Sequence, residues 1–383
     1  MANFDRKQFI SGIKRVVLKI GSSMLTDSDG NLLDTRFGDI ADQVSGLRKS
    51  GIEFIIVSSG AIASGMKKLG IEERATDIHT KQAIAACGQS SLIWSYEKAF
   101  SIFELNVAQI LLTHNGFSDR KRFLIARKTI QRLLEMGIIP IVNENDTVAI
   151  EEIMIGDNDN LAALVTSMTE SDLMILLTNI DGIYSDDQRK NKNAEFIPVI
   201  NEIDNEIKKI DGGTSGKTTT GGMKTKIEAV KKASAFGVPS IVANGEKSDA
   251  IKRIFSGEDY GTLVLPSQDK LRARKHWIAF NLKAAGNIVL DDGAKDAILK
   301  KGKSLLPSGI LKTQGNFGIG DCIICLDENG NEIARGISTY SAEEVRKIAG
   351  KKTGEIEKIL GYKYSDEVIH RDDLAVVSKK NEK

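Results

Sequence analysis

Cysteine is scarce in this sequence. Its 383 residues include only three, which are Cys87, Cys322 and Cys325. An odd number this small cannot cross-link a chain of this length, so a reducing compartment is expected. The opening residues MANFDRKQFISGIKR lack the apolar core of a secretory signal, and no apolar run reaches the roughly 18 residues that a membrane span requires. These absences predict a cytoplasmic protein that does not enter a membrane.

An excess of charge of either sign is also missing. The chain has 53 Lys and Arg against 52 Asp and Glu, a formal net charge of +1. This balance provides no overall field that would recruit nucleic acid or an anionic membrane, so any contact with a polyanion must be local. Aromatic residues make up only 5% of the chain. In the sequence, Trp94 and Trp277 have no aromatic companions that would form a stacking platform for bases.

Short apolar runs of strand length are abundant in the first 260 residues. They lie at 16–20, 54–57, 107–112, 138–142, 173–177 and 238–242. Longer stretches with helical spacing separate them, among them 37–49, 127–136, 161–168 and 226–236. This alternation predicts an α/β fold in which helices cover both faces of a mainly parallel open sheet, a three-layer αβα sandwich. Ligands of such sheets bind beyond the carboxyl ends of the strands.

The character of the chain changes after about residue 261. A connector with a proline and a basic segment at 270–275 precedes short strand-like pieces with little helix before Ser341. We therefore expect a first domain at 1–262, a linker at 263–280, a smaller β-rich domain at 281–361 and a tail at 362–383. Cys322 and Cys325 form a CxxC motif in an apolar run without a second pair, which favours a strand interior over a metal or redox site.

Two glycine-containing turns carry a lysine and indicate phosphate binding. In Lys19-Ile20-Gly21-Ser22-Ser23, a lysine near the end of a strand is followed by a tight Gly-Ser-Ser turn, so a mobile ammonium group lies beside backbone N–H groups that can hold phosphate oxygens. In the segment TGGMKTK at 220–226, a glycine pair opens a helix and Lys226 falls in or near its first turn. The helix dipole disfavours a cation there, which suggests an anionic partner, although a solvated surface lysine is the alternative.

Two acidic, amide-rich turns suggest a pocket for a polar small molecule. NEND at 143–146 follows an apolar strand, and GDNDN at 156–160 leads into a helix that is expected to begin near Leu161. One such turn would be explained by helix capping. Two of them, together with the two glycine-lysine turns, are better explained by a pocket. The segment Ser58-Ser59-Gly60 adds a third polar strand end, whereas GGTSGKT at 212–218 fails the spacing of a Walker A loop and is interpreted as a flexible loop near a nucleotide.

These motifs together resemble those of the amino acid kinase family. The matching segments are KIGSS at 19–23, VSSGAIA at 57–63, KQ at 81–82, ACGQS at 86–90, NEND at 143–146, GDNDNL at 156–161 and TGGMKTK at 220–226. NEND combined with GDNDNL is typical of the members that act on free glutamate. In the second half, GA at 293–294, KSLLPSGI at 303–310 and GNF at 315–317 resemble a PUA domain, a small β-rich pseudo-barrel found in RNA-modifying enzymes.

The resemblance implies ATP-dependent phosphorylation of the side-chain carboxylate of glutamate. It also implies Mg²⁺ that arrives with the nucleotide, inhibition by proline, a homo-oligomer (dimer or tetramer) and possible RNA binding through the PUA domain. Lys19 and Lys226 would stabilise the transferring phosphoryl group, and Asp159 would orient both lysines. Glutamate would be bound by Ser59, Asp146 and Asn158. ATP would be bound by Lys19, Gly21, Ser22, Thr178, Asn179, Thr220, Gly221, Gly222, Met223, Lys224, Thr225 and Lys226.

The implied chemistry suits these residue types. A glutamate side chain has a reference pKa of about 4.3, so the nucleophile is ionised at neutral pH and needs no general base. Asp146 is a natural partner for the α-ammonium group of a free amino acid. Two alternatives stay open: a related kinase that acts on aspartate or an acylated glutamate, and an RNA-binding protein with a vestigial kinase half. Many relatives have Asp where this chain has Asn179, so the partner of Asn179 is left open.

Overall fold

The structure is a computed structural model, and it divides the chain into two compact units. It describes residues 5–27, 29–72, 77–113, 120–148, 157–186, 191, 193–201, 221–266, 275, 278–279, 282 and 284–377. The first unit comprises Met1–Ser118 and Ile125–Ser267, and the second comprises Asp119–Leu124 and Gln268–Lys383. Within the described ranges, no helix combines the length and the apolar character needed to cross a membrane.

The strands of the first unit form one eight-stranded sheet. They are β1 Arg15–Ile20, β2 Glu53–Ser58, β3 Val107–Leu112, β4 Ile139–Glu144, β5 Leu173–Thr178, β6 Val199–Ile200, β7 Ser240–Asn244 and β8 Thr262–Val264. Their order across the sheet is β3-β4-β2-β1-β5-β7-β8-β6. Every neighbouring pair is parallel except β7 and β8. The predicted mainly parallel sheet is therefore confirmed.

Helices of this part of the chain flank the sheet. They are α1 Arg6–Ser11, α2 Ser22–Leu25, α3 Asp34–Arg48, α4 Ala61–Leu69, α5 Ile78–Ser101, α6 Arg120–Glu135, α7 Asp157–Met168, α8 Gly221–Ala235 and α9 Ala250–Phe255, and a 3-10 turn spans Asp146–Val148. The side chains of β1 alternate between the faces of the sheet. Leu18 joins a core with α3 and α5, whereas Lys19 points to the face on which α7 packs beside α8. Helices thus cover both faces, as predicted.

Two glycines bring α4 and α5 into direct backbone contact. A Cβ atom on Gly65 would lie 1.9 Å from the carbonyl oxygen of Ile84, and one on Gly88 would lie 1.8 Å from that of Ala61. No larger residue fits at either position, because real Cβ atoms do not approach a backbone so closely. The crossing fixes the start of α4 against the turn of α5 that carries Gly88.

The second unit has its own sheet and core. Its strands are β9 Gly286–Leu290, β10 Ile310–Gly315, β11 Cys322–Leu326, β12 Glu332–Ile337 and β13 Leu374–Val376, in the order β10-β9-β11-β12-β13. Only β9 and β11 pair in parallel. Its helices are α10 Asp292–Lys301, α11 Ala342–Ile348 and α12 Ile356–Leu360, and 3-10 turns span Pro307–Gly309, Thr353–Glu355 and Arg371–Asp373. Tyr340 and Val345 pack against Ile323 in a core separate from that of the first unit.

Two expectations for this unit have different outcomes. Cys322 and Cys325 are buried residues of β11, so the predicted strand interior is confirmed. The expectation of little helix before Ser341 is wrong, because α10 alone has ten residues. Its boundary signals are local: Asp291 accepts a hydrogen bond from the backbone N–H of Ala294 at 2.6 Å, and a left-handed Gly302 ends the helix.

Candidate active site

Asp159 joins two lysines that are far apart in the sequence. Lys19 Nζ lies 2.6 Å from Asp159 Oδ1, and Lys226 Nζ lies 3.1 Å from Asp159 Oδ2. The Thr225 hydroxyl also donates a hydrogen bond to Oδ2, at 2.8 Å. These side chains come from β1, α7 and α8, whose packing on one face of the sheet brings them together. The structure therefore brings together the three residues for which a catalytic role was predicted.

The local sequence explains the placement of these groups. Helix α7 begins at Asp157 and not near Leu161 as expected, so Asp159 lies in the first helical turn, where the helix dipole favours a carboxylate. Helix α8 begins at Gly221, which confirms that the glycine pair opens it, and Lys226 lies near the first turn, as expected, at the sixth helical position. Its side chain reaches back toward the helix start and donates to the Gly222 carbonyl oxygen at 3.3 Å.

The cluster of Lys19, Asp159 and Lys226 is buried and carries a net positive charge. The exposed fractions of the side chains are 6% for Lys19, 1% for Asp159 and 13% for Lys226. Two ammonium groups and one carboxylate give a net charge of +1 among these three residues. Burying charge without compensation is costly, so a cluster of this composition favours a bound anion.

The pKa values of this cluster follow from the same environment. Burial lowers the pKa of Lys19 below its usual value, Asp159 opposes the shift, and the charge of Lys226 adds to it. Burial acts to raise the pKa of Asp159, but the two lysines and the hydrogen bond from Thr225 outweigh it and keep the pKa of this carboxyl below its usual value. Asp159 is therefore an ionised, permanent partner of the lysines at neutral pH.

The residues predicted to bind nucleotide lie at three nearby chain segments. Gly21 precedes the short helix α2, and a Cβ on Gly21 would lie 3.9 Å from Lys19 Nζ, so this ammonium lies over the glycine turn. Thr178 ends β5 beside β1 and is buried, whereas Asn179 is exposed. Of the remaining predicted residues, Ser22, Gly222 and Lys224 are exposed and Met223 is half-buried. Thr220 lies outside the described residues, as does the loop at 212–218.

A second cluster forms around the amide of Asn158, the residue before Asp159. Asn158 Nδ2 lies 2.9 Å from the carbonyl oxygen of Ser58, 3.0 Å from Ser59 Oγ and 2.9 Å from Asn143 Oδ1. The amide therefore faces three acceptors on its nitrogen side. Its oxygen, Oδ1, is buried and has no hydrogen-bond partner among the residues that the structure describes. An unpartnered buried acceptor of this kind is suited to a donor group on a ligand.

Three residues were predicted to bind glutamate, and the structure brings two of them together, Ser59 and Asn158. Asp146 begins the 3-10 turn after β4, and this turn packs against α5. Asn143 lies within the NEND motif, and the sequence predicted no individual role for it. It is 2% exposed and links Asn158 to Gln89, whose Oε1 accepts a hydrogen bond from Asn143 Nδ2 at 2.7 Å.

A third polar group lies at the carboxyl ends of the strands, and it was not predicted from the sequence. Asp181, just beyond β5, pairs with Lys247 at 2.7 Å and accepts a hydrogen bond from Asn244 Nδ2 at 2.9 Å. The hydrogen bond from Lys247 lowers the pKa of Asp181. The dipeptides Asp181-Gly182 and Asn244-Gly245 are turn signals after apolar strands, and could have marked this edge.

The second unit has a cavity of about 680 Å³. Lys303 and Arg371 line it, and so do the acidic Asp291 and Glu367 together with His370. These four charged side chains balance, so they give the cavity no excess of positive charge that would favour a polyanion. RNA binding by this unit accordingly stays a prediction.

Comparison with known proteins identifies both parts of the chain. The Amino acid kinase family matches residues 14–244, and the PUA domain matches residues 286–360. Glutamate 5-kinase of Geobacter sulfurreducens is 49% identical over 372 residues, which cover 97% of this chain and 100% of that protein. Glutamate 5-kinase of Caldanaerobacter subterraneus is 50% identical over 95% of this chain and 98% of its own. A crystal structure of UMP kinase from Ureaplasma parvum is 18% identical, with a TM-score of 0.47, over 66% of this chain and 99% of that chain. By its matched family and its full-length relatives, this chain belongs to the amino acid kinase family, within the group of the glutamate 5-kinases, and carries a PUA domain.

Proposed function

We propose that this chain transfers the γ-phosphoryl group of ATP to the side-chain carboxylate of free L-glutamate. The products are L-glutamyl 5-phosphate and ADP, and the reaction is the first step of proline biosynthesis. The observation that carries the proposal is the buried cluster in which Lys19 and Lys226 share the carboxylate of Asp159. Its net positive charge suits a phosphoryl group, and the full-length similarity to glutamate 5-kinases supports glutamate as the acceptor.

The two lysines address the main obstacle of the reaction. An anionic carboxylate must approach an anionic phosphate, so catalysis depends on placing cations around the group in transfer. Lys19 reaches this place from β1 and Lys226 from α8. Asp159 contacts neither substrate in this proposal and acts as a positioning residue, because its two oxygens hold the two ammonium groups in fixed directions. Since the glutamate side chain is already ionised at neutral pH, no residue has to remove a proton.

The polar cluster around Asn158 is proposed to bind glutamate itself. Free glutamate at neutral pH has one group that donates hydrogen bonds, its α-ammonium, and Asn158 Oδ1 is a buried acceptor that no described residue bonds. Ser59 lies beside it at the start of α4, where the backbone N–H groups of the first helical turn suit a carboxylate. Asp146 supplies a carboxylate for the ammonium from the turn after β4.

The side chains that the structure describes do not fit a resident metal ion. Asp159, the carboxylate of the lysine cluster, already has two ammonium groups on its oxygens. Among the described residues, no group of three or more His, Cys, Asp or Glu side chains could hold a metal. We therefore propose that Mg²⁺ is bound by the phosphate oxygens of ATP and enters with the nucleotide.

A hydroxylamine trapping assay tests the function. The full chain is incubated with ATP, MgCl₂, hydroxylamine and one acceptor at a time: L-glutamate, L-aspartate, N-acetyl-L-glutamate or glutarate. We expect a hydroxamate and stoichiometric ADP with L-glutamate alone. Hydroxamate from aspartate or from N-acetylglutamate, without product from glutamate, would instead establish the related carboxylate kinase. Inhibition by proline, the oligomeric state and RNA binding stay predictions that this assay does not address.

A further inference from the structure

Gln89 of α5 lies at the outer end of a row of amide side chains. Its Oε1 accepts a hydrogen bond from Asn143 Nδ2 at 2.7 Å, and Asn143 Oδ1 accepts one from Asn158 Nδ2 at 2.9 Å. Asn158 Nδ2 also faces Ser59 Oγ at 3.0 Å. The row therefore joins a helix on one face of the sheet to the pocket proposed for glutamate. It is called the amide row below.

The amide row has a direction, because each amide has one donor end and one acceptor end. Asn143 Oδ1 accepts from two donors, the backbone N–H of Glu144 at 2.9 Å and Asn158 Nδ2. The nitrogen of Asn143 consequently faces Gln89. Since Asn143 is 2% exposed, its nitrogen is largely shielded from water, and Gln89 supplies the acceptor that this donor needs.

The direction of the amide row determines which atom of Asn158 faces a ligand. The nitrogen of Asn158 is turned toward the carbonyl oxygen of Ser58 and toward Asn143, and its oxygen is buried without a partner in the part of the chain that the structure describes. Rotation of the amide by half a turn would place oxygen against oxygen at both contacts. Asn158 therefore presents an acceptor to the pocket, and the substrate must supply a donor.

The backbone of α5 cannot easily move away from this position. Gly88, the residue before Gln89, touches the backbone of α4 so closely that a Cβ there would lie 1.8 Å from the Ala61 carbonyl oxygen and 2.4 Å from the Gly65 nitrogen. The glycine contact holds the turn of α5 that carries Gln89. The start of α4, next to Ser59, is held by the same contact.

We propose that Gln89 is a positioning residue for the glutamate α-ammonium, acting through Asn143 to hold the Asn158 amide with its oxygen toward the substrate. This inference rests on the proposed function, because it names the substrate group that Asn158 Oδ1 accepts. Gln89 touches neither substrate nor phosphate, so it is expected to influence the affinity for glutamate and to leave the phosphoryl transfer step nearly unchanged.

The first test separates KM from kcat. Gln89→Met keeps the size of the side chain and removes its strong acceptor, whereas Gln89→Glu keeps an oxygen at this position. At saturating ATP we expect the KM for glutamate to rise by about tenfold in Gln89→Met, with kcat changed by less than about twofold. A smaller rise is expected in Gln89→Glu. Ser90→Ala is the matched control, because Ser90 is the exposed neighbour of Gln89 on α5 and its hydroxyl bonds to Lys68 and to the carbonyl oxygen of Cys87.

The second test asks whether Gln89 acts through Asn158. Calorimetric titration with glutamate, in the presence of a non-hydrolysable ATP analogue, gives the Kd of the unmodified chain, Gln89→Met, Asn158→Ala and the double variant. We expect the roughly tenfold effect of Gln89→Met to disappear in the Asn158→Ala background. An equal loss of affinity in both backgrounds overturns the inference, as does an unchanged KM in Gln89→Met or a fall of kcat alone. Failure of the proposed function is a separate result, because it is shown by the unmodified chain forming no glutamyl hydroxamate.

Discussion

Replacing Asp159 by Asn is the sharpest perturbation of the lysine cluster. The substitution keeps the shape of the side chain and removes its charge, so Lys19 and Lys226 lose the carboxylate that they share. Removing one partner of a buried ion pair costs about 3–5 kcal/mol. The cost is limited here because Lys19, whose pKa burial already lowers, can release its proton. We expect a loss of about 3 kcal/mol in the free energy of unfolding at neutral pH.

The same variant is expected to lose about two orders of magnitude in kcat, because the ammonium groups lose the carboxylate that directs them at the phosphoryl group. Urea unfolding and the hydroxylamine assay measure the two effects. Asp42→Asn is the control for stability: Asp42 pairs with Lys252 at 2.6 Å, the same distance as Lys19 and Asp159, but both partners are about half exposed. An exposed pair of this kind contributes less than about 1 kcal/mol.

The pH dependence of Asp159→Asn gives an independent check. Asp159 raises the pKa of Lys19 against the effect of burial, so its removal lowers that pKa further. Activity is lost as pH rises through the pKa of Lys19, and the alkaline limb of kcat should therefore move to lower pH in the variant. In the unmodified chain, the lowered pKa of Asp159 contributes stability above its unfolded pKa, which is lost as pH falls through the folded pKa. An Asp159→Asn protein with the stability, rate and alkaline limb of Asp42→Asn would refute this account of the cluster.

Three further changes test other parts of the site. Lys19→Ala and Lys226→Ala should each lower kcat about a hundredfold in the hydroxylamine assay, and near-normal turnover of either would contradict its role. Asp146→Ala should raise the KM for glutamate at saturating ATP by tenfold or more, since an ammonium partner is lost, and an unchanged KM would show that Asp146 does not bind it. Gly88→Ala should lower the melting temperature by several degrees, because its Cβ would lie 1.8 Å from the Ala61 carbonyl oxygen; a melting temperature equal to that of Ser90→Ala would disprove the tight crossing.

The sequence predicts the sheet better than it predicts the helix starts. The run at 16–20, apolar except for Lys19, corresponds to β1 Arg15–Ile20, and the run at 173–177 corresponds to β5 Leu173–Thr178, because strands buried on both faces are largely apolar. Helix α7, in contrast, begins four residues before the expected Leu161. Its first turn consists of Asp and Asn, residue types that are equally common in turns and at helix starts. Pattern alone could not decide between the two.

The site was predictable in its charged residues and not in its amide row. Lys19 precedes one glycine turn, Lys226 follows another, and Asp159 lies in an acidic motif, so local signals marked all three. The hydrogen bond between Gln89 and Asn143 joins residues 54 positions apart. It depends on how α5 crosses α4, which the glycine contact at Gly88 determines. A glutamine within a helix has no local signal of this kind, and only its neighbours in space reveal it.

The first turn of α7 connects the two halves of the proposed reaction. Asn158 and Asp159 are consecutive residues of one helix, so their side chains point in directions about 100° apart and cannot move independently. Asn158 faces Ser59 and Asn143, where glutamate is proposed to bind, while Asp159 faces the lysines that are proposed to hold the phosphoryl group. Phosphoryl transfer without a general base depends chiefly on alignment of the nucleophile with the phosphorus. A single helical turn that positions both partners supplies this alignment, because its hydrogen-bonded backbone sets the distance between the two binding sites before either substrate arrives.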